Sequence, residues 1–100
     1  MPTLDLPAAE LNTLKRILAQ YAPRAEVWAY GSRVTGGAHE GSDLDLVLRT
    51  PSNGAQSNLA ELRGALSESD LPILVDVLDW NRIPKSFCRE IEKAHVVLQK

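Results

Sequence analysis

Apolar residues recur along this chain with two periods. Over residues 8–21, Leu11, Leu14, Leu18 and Tyr21 fall three and four apart, with Glu10, Asn12, Lys15 and Arg16 off that stripe. This is the pattern of an amphipathic helix. Pro7 and Pro23 bracket it, as suits a helix start and the chain beyond its end. "AEVWAY", 25–30, is short, rich in strand formers and stopped by Gly31, so it reads as a strand. "SDLDLVLR", 42–49, reads as a second strand and "TPSNG", 50–54, as a loop. Residues 56–68 give a second helix with Leu59, Leu62 and Leu66 on one face, weakened by about 1 kcal/mol at Gly64. "PILVDVLDW", 72–80, is a third strand, and 83–94 a third helix with Phe87 and Ile91 inward. "HVVLQ", 95–99, adds a short terminal strand. The order predicts one domain over residues 1–100 of α/β (α+β) class, a small mixed sheet of three to four strands flanked by helices.

Two of these strands carry acids where apolar residues are expected. Side chains of a strand alternate, so Asp43, Asp45, Val47 and Arg49 share one face while Leu44, Leu46 and Leu48 share the other. Asp43 and Asp45 are then roughly 7 Å apart on a rigid strand. Neighbouring carboxylates repel unless a cation lies between them. Magnesium takes oxygen ligands from one or two carboxylates and substrate phosphates, and paired ions clamp the oxygens of a phosphoryl displacement. Asp76, alone in "ILVDVL", is the natural third ligand if its strand lies beside the first. Asp43 directly follows Ser42 and also fits an ordinary strand-start aspartate. Asp45 and Asp76 have apolar neighbours on both sides, where an unpartnered carboxylate is costly. Asp79, just before Trp80 and Asn81, is read as ending its strand in solvent.

The turn before the second strand adds a phosphate cradle. Gly31 and Ser32 follow a strand directly, and residues 32–36 are expected to begin a short helical turn. Exposed backbone N–H groups and a serine hydroxyl there suit phosphate oxygens. Arg33 can add a charge-assisted contact. Taken alone, "GSR" also fits a plain turn, and Gly36, Gly37 and Gly41 fit plain loop formers.

Composition narrows the classes. The net charge of −2 argues against nucleic-acid binding by bulk positive charge. A single cysteine, Cys88, excludes an internal disulfide and a cysteine-rich zinc site. The N-terminal segment lacks the basic and apolar regions of a signal peptide, and no apolar run reaches membrane-spanning length. A cytoplasmic domain is expected.

Gly31-Ser32, Arg33, the glycine-containing stretch 34–41 and Ser42-Asp43-Leu44-Asp45-Leu46 resemble the signature of the polymerase-beta-like nucleotidyltransferase superfamily. The chain is most similar to its smallest branch, the minimal nucleotidyltransferases, and the resemblance extends through the 75–98 tail. It implies that Gly31, Ser32, Arg33 and Ser42 bind the nucleotide. It implies that Asp43, Asp45 and Asp76 are catalytic and hold two Mg2+ ions. The implied reaction is attack of a hydroxyl on the α-phosphate of ATP with release of pyrophosphate. The branch also implies a partner: such proteins act as antitoxins beside a HEPN-type ribonuclease toxin and adenylylate one of its tyrosines. Two other readings stand beside this one. One is an antitoxin that masks its partner without catalysis. The other is a transferase acting on a small hydroxylated molecule, disfavoured because a chain this short has no added substrate-holding domain.

Other residues are weighed on the same terms. His39 and His95 fit metal ligands or plain polar positions, and His39, near the acids in sequence, also a phosphate contact. Cys88, beside Phe87, is expected in or near the core. Trp28 and Tyr30 share a strand face as core aromatics, while Trp80 is open to packing or a nucleobase. Lys85, Arg82 and Arg89 are expected in solvent, with Arg82 also placed to reach a partner.

Overall fold

The structure is a computed structural model that describes residues 3–36, 43–49 and 59–100. Helix α1 (Ala8–Tyr21) leads into strand β1 (Glu26–Tyr30), the one-turn helix α2 (Ser32–Thr35) and strand β2 (Leu44–Arg49). Helix α3 (Leu59–Ser67), strand β3 (Val75–Asp79), a 3-10 turn (Trp80–Arg82), helix α4 (Lys85–Lys93) and strand β4 (Val96–Gln99) follow. Every predicted helix and strand is present among the described residues, the first helix over its full predicted span and the strands and last helix with shorter ends. Pro84 precedes α4 rather than lying inside it, and Trp80 leaves the third strand to begin the 3-10 turn. The predicted loop 50–54 and the start of the second helix, 56–58, lie outside the described residues.

The strands form a four-stranded mixed sheet in the order β3-β2-β1-β4. β1 pairs antiparallel with β2 and with β4, while β2 and β3 run parallel. The parallel pair requires a crossover, and α3 lies within it. The terminal strand therefore pairs with β1, at the edge opposite β3. Gln99 ties that edge to the α1–β1 turn, its Nε2 donating to the carbonyls of Ala22 and Ala25 at 2.7 and 2.9 Å.

Strand alternation distributes the core over both faces. Leu44, Leu46 and Leu48 pack with Leu14 and Leu18 of α1 and Leu62 and Leu66 of α3. Val47, on the aspartate side of β2, is also fully buried, in a second cluster with Trp28, Tyr30 and Ile91. Trp80, Ile83 and Phe87 lean on that cluster. The acid-bearing face is therefore half core, with apolar packing at its middle giving way to Asp45 and Asp76 at one end and to Glu26 and Arg49 at the other. Leu62 and Leu66 are buried despite Gly64, so tertiary burial outweighs the local propensity cost.

Candidate active site

Register brings the acids together. Tyr30 of β1 stands opposite Asp45 of β2, and Asp45 stands opposite Asp76 of β3. Cross-strand partners share a face, so Tyr30, Asp45 and Asp76 form a row at one end of the sheet. Asp43, two residues before Asp45, continues that face just outside β2 and is exposed, as is Asp76. Asp45 is half-buried. As they stand, no three His, Cys, Asp or Glu side chains among the described residues close on a single point as metal ligands do. The register shows the reason for spacing: three bare carboxylates on one face repel. That repulsion is visible at Asp45, whose carboxyl is held above the ordinary carboxylate range by burial first, then by Asp76 and Asp43. Three oxygen donors whose anionic forms disfavour one another suit a hard divalent cation.

Gly31 is built into the same row. Its φ of 83° and ψ of −159° lie in a region that essentially only glycine occupies. A Cβ placed on it would fall 2.4 Å from Oδ2 of Asp45. The carboxylate therefore rests directly against the glycine backbone. Ser32 begins α2 immediately afterwards, and the N–H groups of Val34 and Thr35 both donate to the Gly31 carbonyl at 3.0 Å. Gly36 closes the turn in the left-handed conformation, φ 93°. The expected short helical turn after β1 is thus present, with Ser32 at its first position and the acids alongside.

Arg33 is drawn into the fold. It is 7% exposed, its Nη1 donates to the Asp5 carbonyl at 2.9 Å, and its own carbonyl accepts from the Asp5 N–H at 2.7 Å. These bonds pin the segment before α1 to α2. The placement makes Arg33 a buried cation that ties α2 to the segment before α1, a tie that sequence separation conceals from local pattern. Ser42 and His39 lie outside the described residues. Asp79 is separate from the acid row, accepting from the Asn81 N–H at 2.9 Å and pairing with exposed Arg82 at 3.7 Å.

Tyr30 was legible only as a core aromatic. It is 8% exposed and meets the edge of Phe87 at 5.7 Å between centroids. Its phenol is also pushed up to about 12 by burial, then by Asp45 and Asp76. It is therefore an uncharged wall beside the carboxylates. A further cluster, at the other end of β1, also escaped the sequence. Trp28 stacks on His95 at 3.8 Å, and the Arg49 guanidinium sits 4.1 Å from the Trp28 ring and 4.8 Å from Trp80. Glu26 accepts from the Trp28 indole at 2.5 Å and pairs with Arg49 at 3.2 Å. The alternation that placed Asp45 and Arg49 on one face contained this signal. Trp80 accordingly packs against the sheet, and His95 is spent on Trp28 and the carbonyls of Ile91 and Glu92. Cys88 is half-buried on α4.

Residues 12–100 match the family described as "Polymerase beta, Nucleotidyltransferase". The chain belongs to that family. It is 43% identical over 97 residues to the "Probable protein adenylyltransferase MntA" of Haemophilus influenzae, covering 97% of this chain and 85% of the relative. Among solved structures, a toxin–antitoxin with AMP-PNP superposes with a TM-score of 0.71 at 24% identity, covering 88% of this chain and 71% of that one. The toxin–antitoxin MntA-HepT superposes with a TM-score of 0.65 at 20% identity, covering 92% and 71%. At those identities the likeness speaks to the fold, which is that of the polymerase-beta-like nucleotidyltransferases.

Proposed function

We propose that this chain is a cytoplasmic, magnesium-dependent protein adenylyltransferase that acts as the antitoxin of a HEPN-type toxin. It moves AMP from ATP to a tyrosine hydroxyl of that partner. The observation that carries the reading is the pairing of Asp45 with Asp76 on the sheet face beside the Gly31–Ser32 turn. The named activity of the H. influenzae relative supports the reaction. The fold neighbours, a toxin–antitoxin with AMP-PNP among them, support the partner and the nucleotide. No described helix is long and apolar enough to cross a membrane.

In this scheme Gly31 and Ser32 bind the phosphates through backbone N–H groups and the hydroxyl. Ser42 adds to the nucleotide contacts. Asp43, Asp45 and Asp76 would hold two Mg2+ ions, which when bound neutralise the phosphate charge and polarise the reacting oxygens. Asp76 also orients the acceptor hydroxyl and draws off its proton. The acceptor oxygen bonds to the α-phosphorus as the bond to the β-phosphate oxygen breaks, and pyrophosphate leaves. Tyr30 and Phe87 keep water from the inner side of the row.

The test is the intact mass of the protein encoded beside this chain, incubated with it and ATP·Mg2+. A shift by one or more AMP units is expected, and the D43N/D45N double variant should produce none. Transfer by that variant would overturn the site. Protection of cells by a variant lacking all three aspartates, equal to the unaltered protein, would move the reading to masking.

A further inference from the structure

Asp76 is carried by an edge strand: among the described residues β3 pairs with β2 on one side and with no strand on the other. The bond from the Leu44 N–H to the Leu74 carbonyl at 2.9 Å sets the phase of the parallel ladder. In that phase the backbone groups of residues 74, 76 and 78 turn towards β2, and those of Val75, Val77 and Asp79 turn to the outer edge. The peptide groups of Asp76 itself are thus held from one side only. A strand held along one edge rolls about that edge and frays from it, and the roll carries a side chain on its face through an arc. The carboxylate of Asp76 is such a side chain. To work with Asp45, its partner in register, it must keep its place to about 0.5 Å.

The crossover helix supplies a hold on the outer edge. Arg63 of α3 donates from Nη2 to the Val77 carbonyl at 2.6 Å, a half-buried bond between residues 14 apart. It is a short, charge-assisted bond of the stronger kind. Val77 is fully buried, so its carbonyl needs a protein partner. The helix that carries the guanidinium is itself fixed, because Leu62, the neighbour of Arg63, and Leu66 are buried in the leucine-face core. Apolar packing does not give the same hold. A cavity of about 220 Å3 separates α3 from the approach to β3, with Leu66, Leu71 and Val75 in its walls. Leu74, two residues before Asp76, is 75% exposed. The strand therefore enters the sheet loosely and is gripped from both sides only where Arg63 meets Val77, one residue after the third acid.

We infer that Arg63 is a positioning residue for the transfer step: by holding the Val77 carbonyl it stops β3 from rolling and keeps the Asp76 carboxylate opposite Asp45. The inference rests on the adenylyltransferase reading for the part played by Asp76. Arg63 reaches β3 from the α3 side and acts through the backbone, so it is not a catalytic residue.

The experiment uses the whole chain, unaltered and as R63M and R63K. R63M keeps an aliphatic stem without a donor, and R63K keeps a cationic donor. Amide hydrogen exchange is followed by nuclear magnetic resonance, beside transfer of labelled AMP to the protein encoded next to this chain. R63M should speed exchange at Asp76 and Leu78, whose N–H groups the ladder directs at β2, and leave the amides of the β1–β2 pair unchanged. Its kcat should fall about tenfold or more, as for a reacting group slightly misplaced, with the KM for ATP unchanged. R63K should recover most of both. Equal exchange at Asp76 and Leu78 in R63M and the unaltered protein overturns the inference. Exchange that quickens alike in every strand also overturns it, since that marks a loss of global stability alone. So does an unchanged kcat in a protein whose β3 exchange has quickened, or a loss seen only in the KM for ATP. If the unaltered protein transfers nothing, the adenylyltransferase reading falls, and quickened exchange confined to β3 in R63M still upholds Arg63 as the tether of Asp76.

Discussion

Replacing Gly31 with alanine tests the acid row at its tightest point. Two separate costs arise. The backbone at φ 83° and ψ −159° is strained for any residue with a Cβ, by about 1–3 kcal/mol. The new Cβ would also lie 2.4 Å from Oδ2 and 3.3 Å from Cγ of Asp45, so the carboxylate must swing out of its present rotamer. That displacement adds about 0.5–1.5 kcal/mol. Together G31A should lose roughly 2–4 kcal/mol, a large part of the ~5–15 kcal/mol that holds a domain of this kind folded. Urea unfolding followed by tryptophan fluorescence measures it. Repeating the substitution in a D45A background separates the terms. There Oδ2 and Cγ are gone and the nearest remaining contact, the Asp45 Cβ at 3.5 Å, is ordinary. The cost should fall by about 1 kcal/mol, leaving the backbone component. Where G31A still folds, the swung carboxylate should cut AMP transfer at least about tenfold. A G31A protein within ~0.5 kcal/mol of the original, or an equal cost with and without the Asp45 carboxylate, would refute the geometry.

Three further outcomes follow from the electrostatics and packing of the sheet. Asp45 has a folded pKa above its usual 3.8, so stability falls as pH rises from there to the folded value and stays lowered above it. D45N should therefore abolish transfer yet melt higher at neutral pH, by ~1 kcal/mol or less for a half-exposed group, with the advantage vanishing below pH 3.8. A D45N protein that melts lower at pH 7 contradicts this. Tyr30, pushed up to about 12, should ionise late in a spectrophotometric titration at 295 nm, and Y30F should remove that late step. Because its phenolate is disfavoured in the fold, stability should decline as pH rises from 10 towards 12. Finally, R49L removes the cation between Trp28 and Trp80 and the ion pair to Glu26. It should cost about 1 kcal/mol and alter the near-ultraviolet circular dichroism of the tryptophans, whereas an unchanged urea midpoint would show the stack to be incidental.

Local pattern was enough for much of this molecule. The leucine spacings of α1 and α3 and the alternation of β2 marked which faces must be buried, because burial of apolar stripes is what makes such segments fold. The same alternation exposed Asp43 and Asp45 as anomalies, since carboxylates do not enter an apolar strand without a compensating partner. Gly31 and Ser32 were legible because a strand ending in glycine needs a turn. What local sequence does not carry is which strand lies beside which, and in what register. Only the tertiary structure set Asp76 opposite Asp45 and Tyr30 on its other side, a pairing that spans more than thirty positions and depends on the α3 crossover. It likewise joined Arg33 to the Asp5 carbonyl, and gathered Glu26, Trp28, Arg49, Trp80 and His95 from separate elements into one stack. A strand declares its own two faces, but its neighbours are chosen by the packing of the whole sheet, and in this protein those neighbours form the acid row.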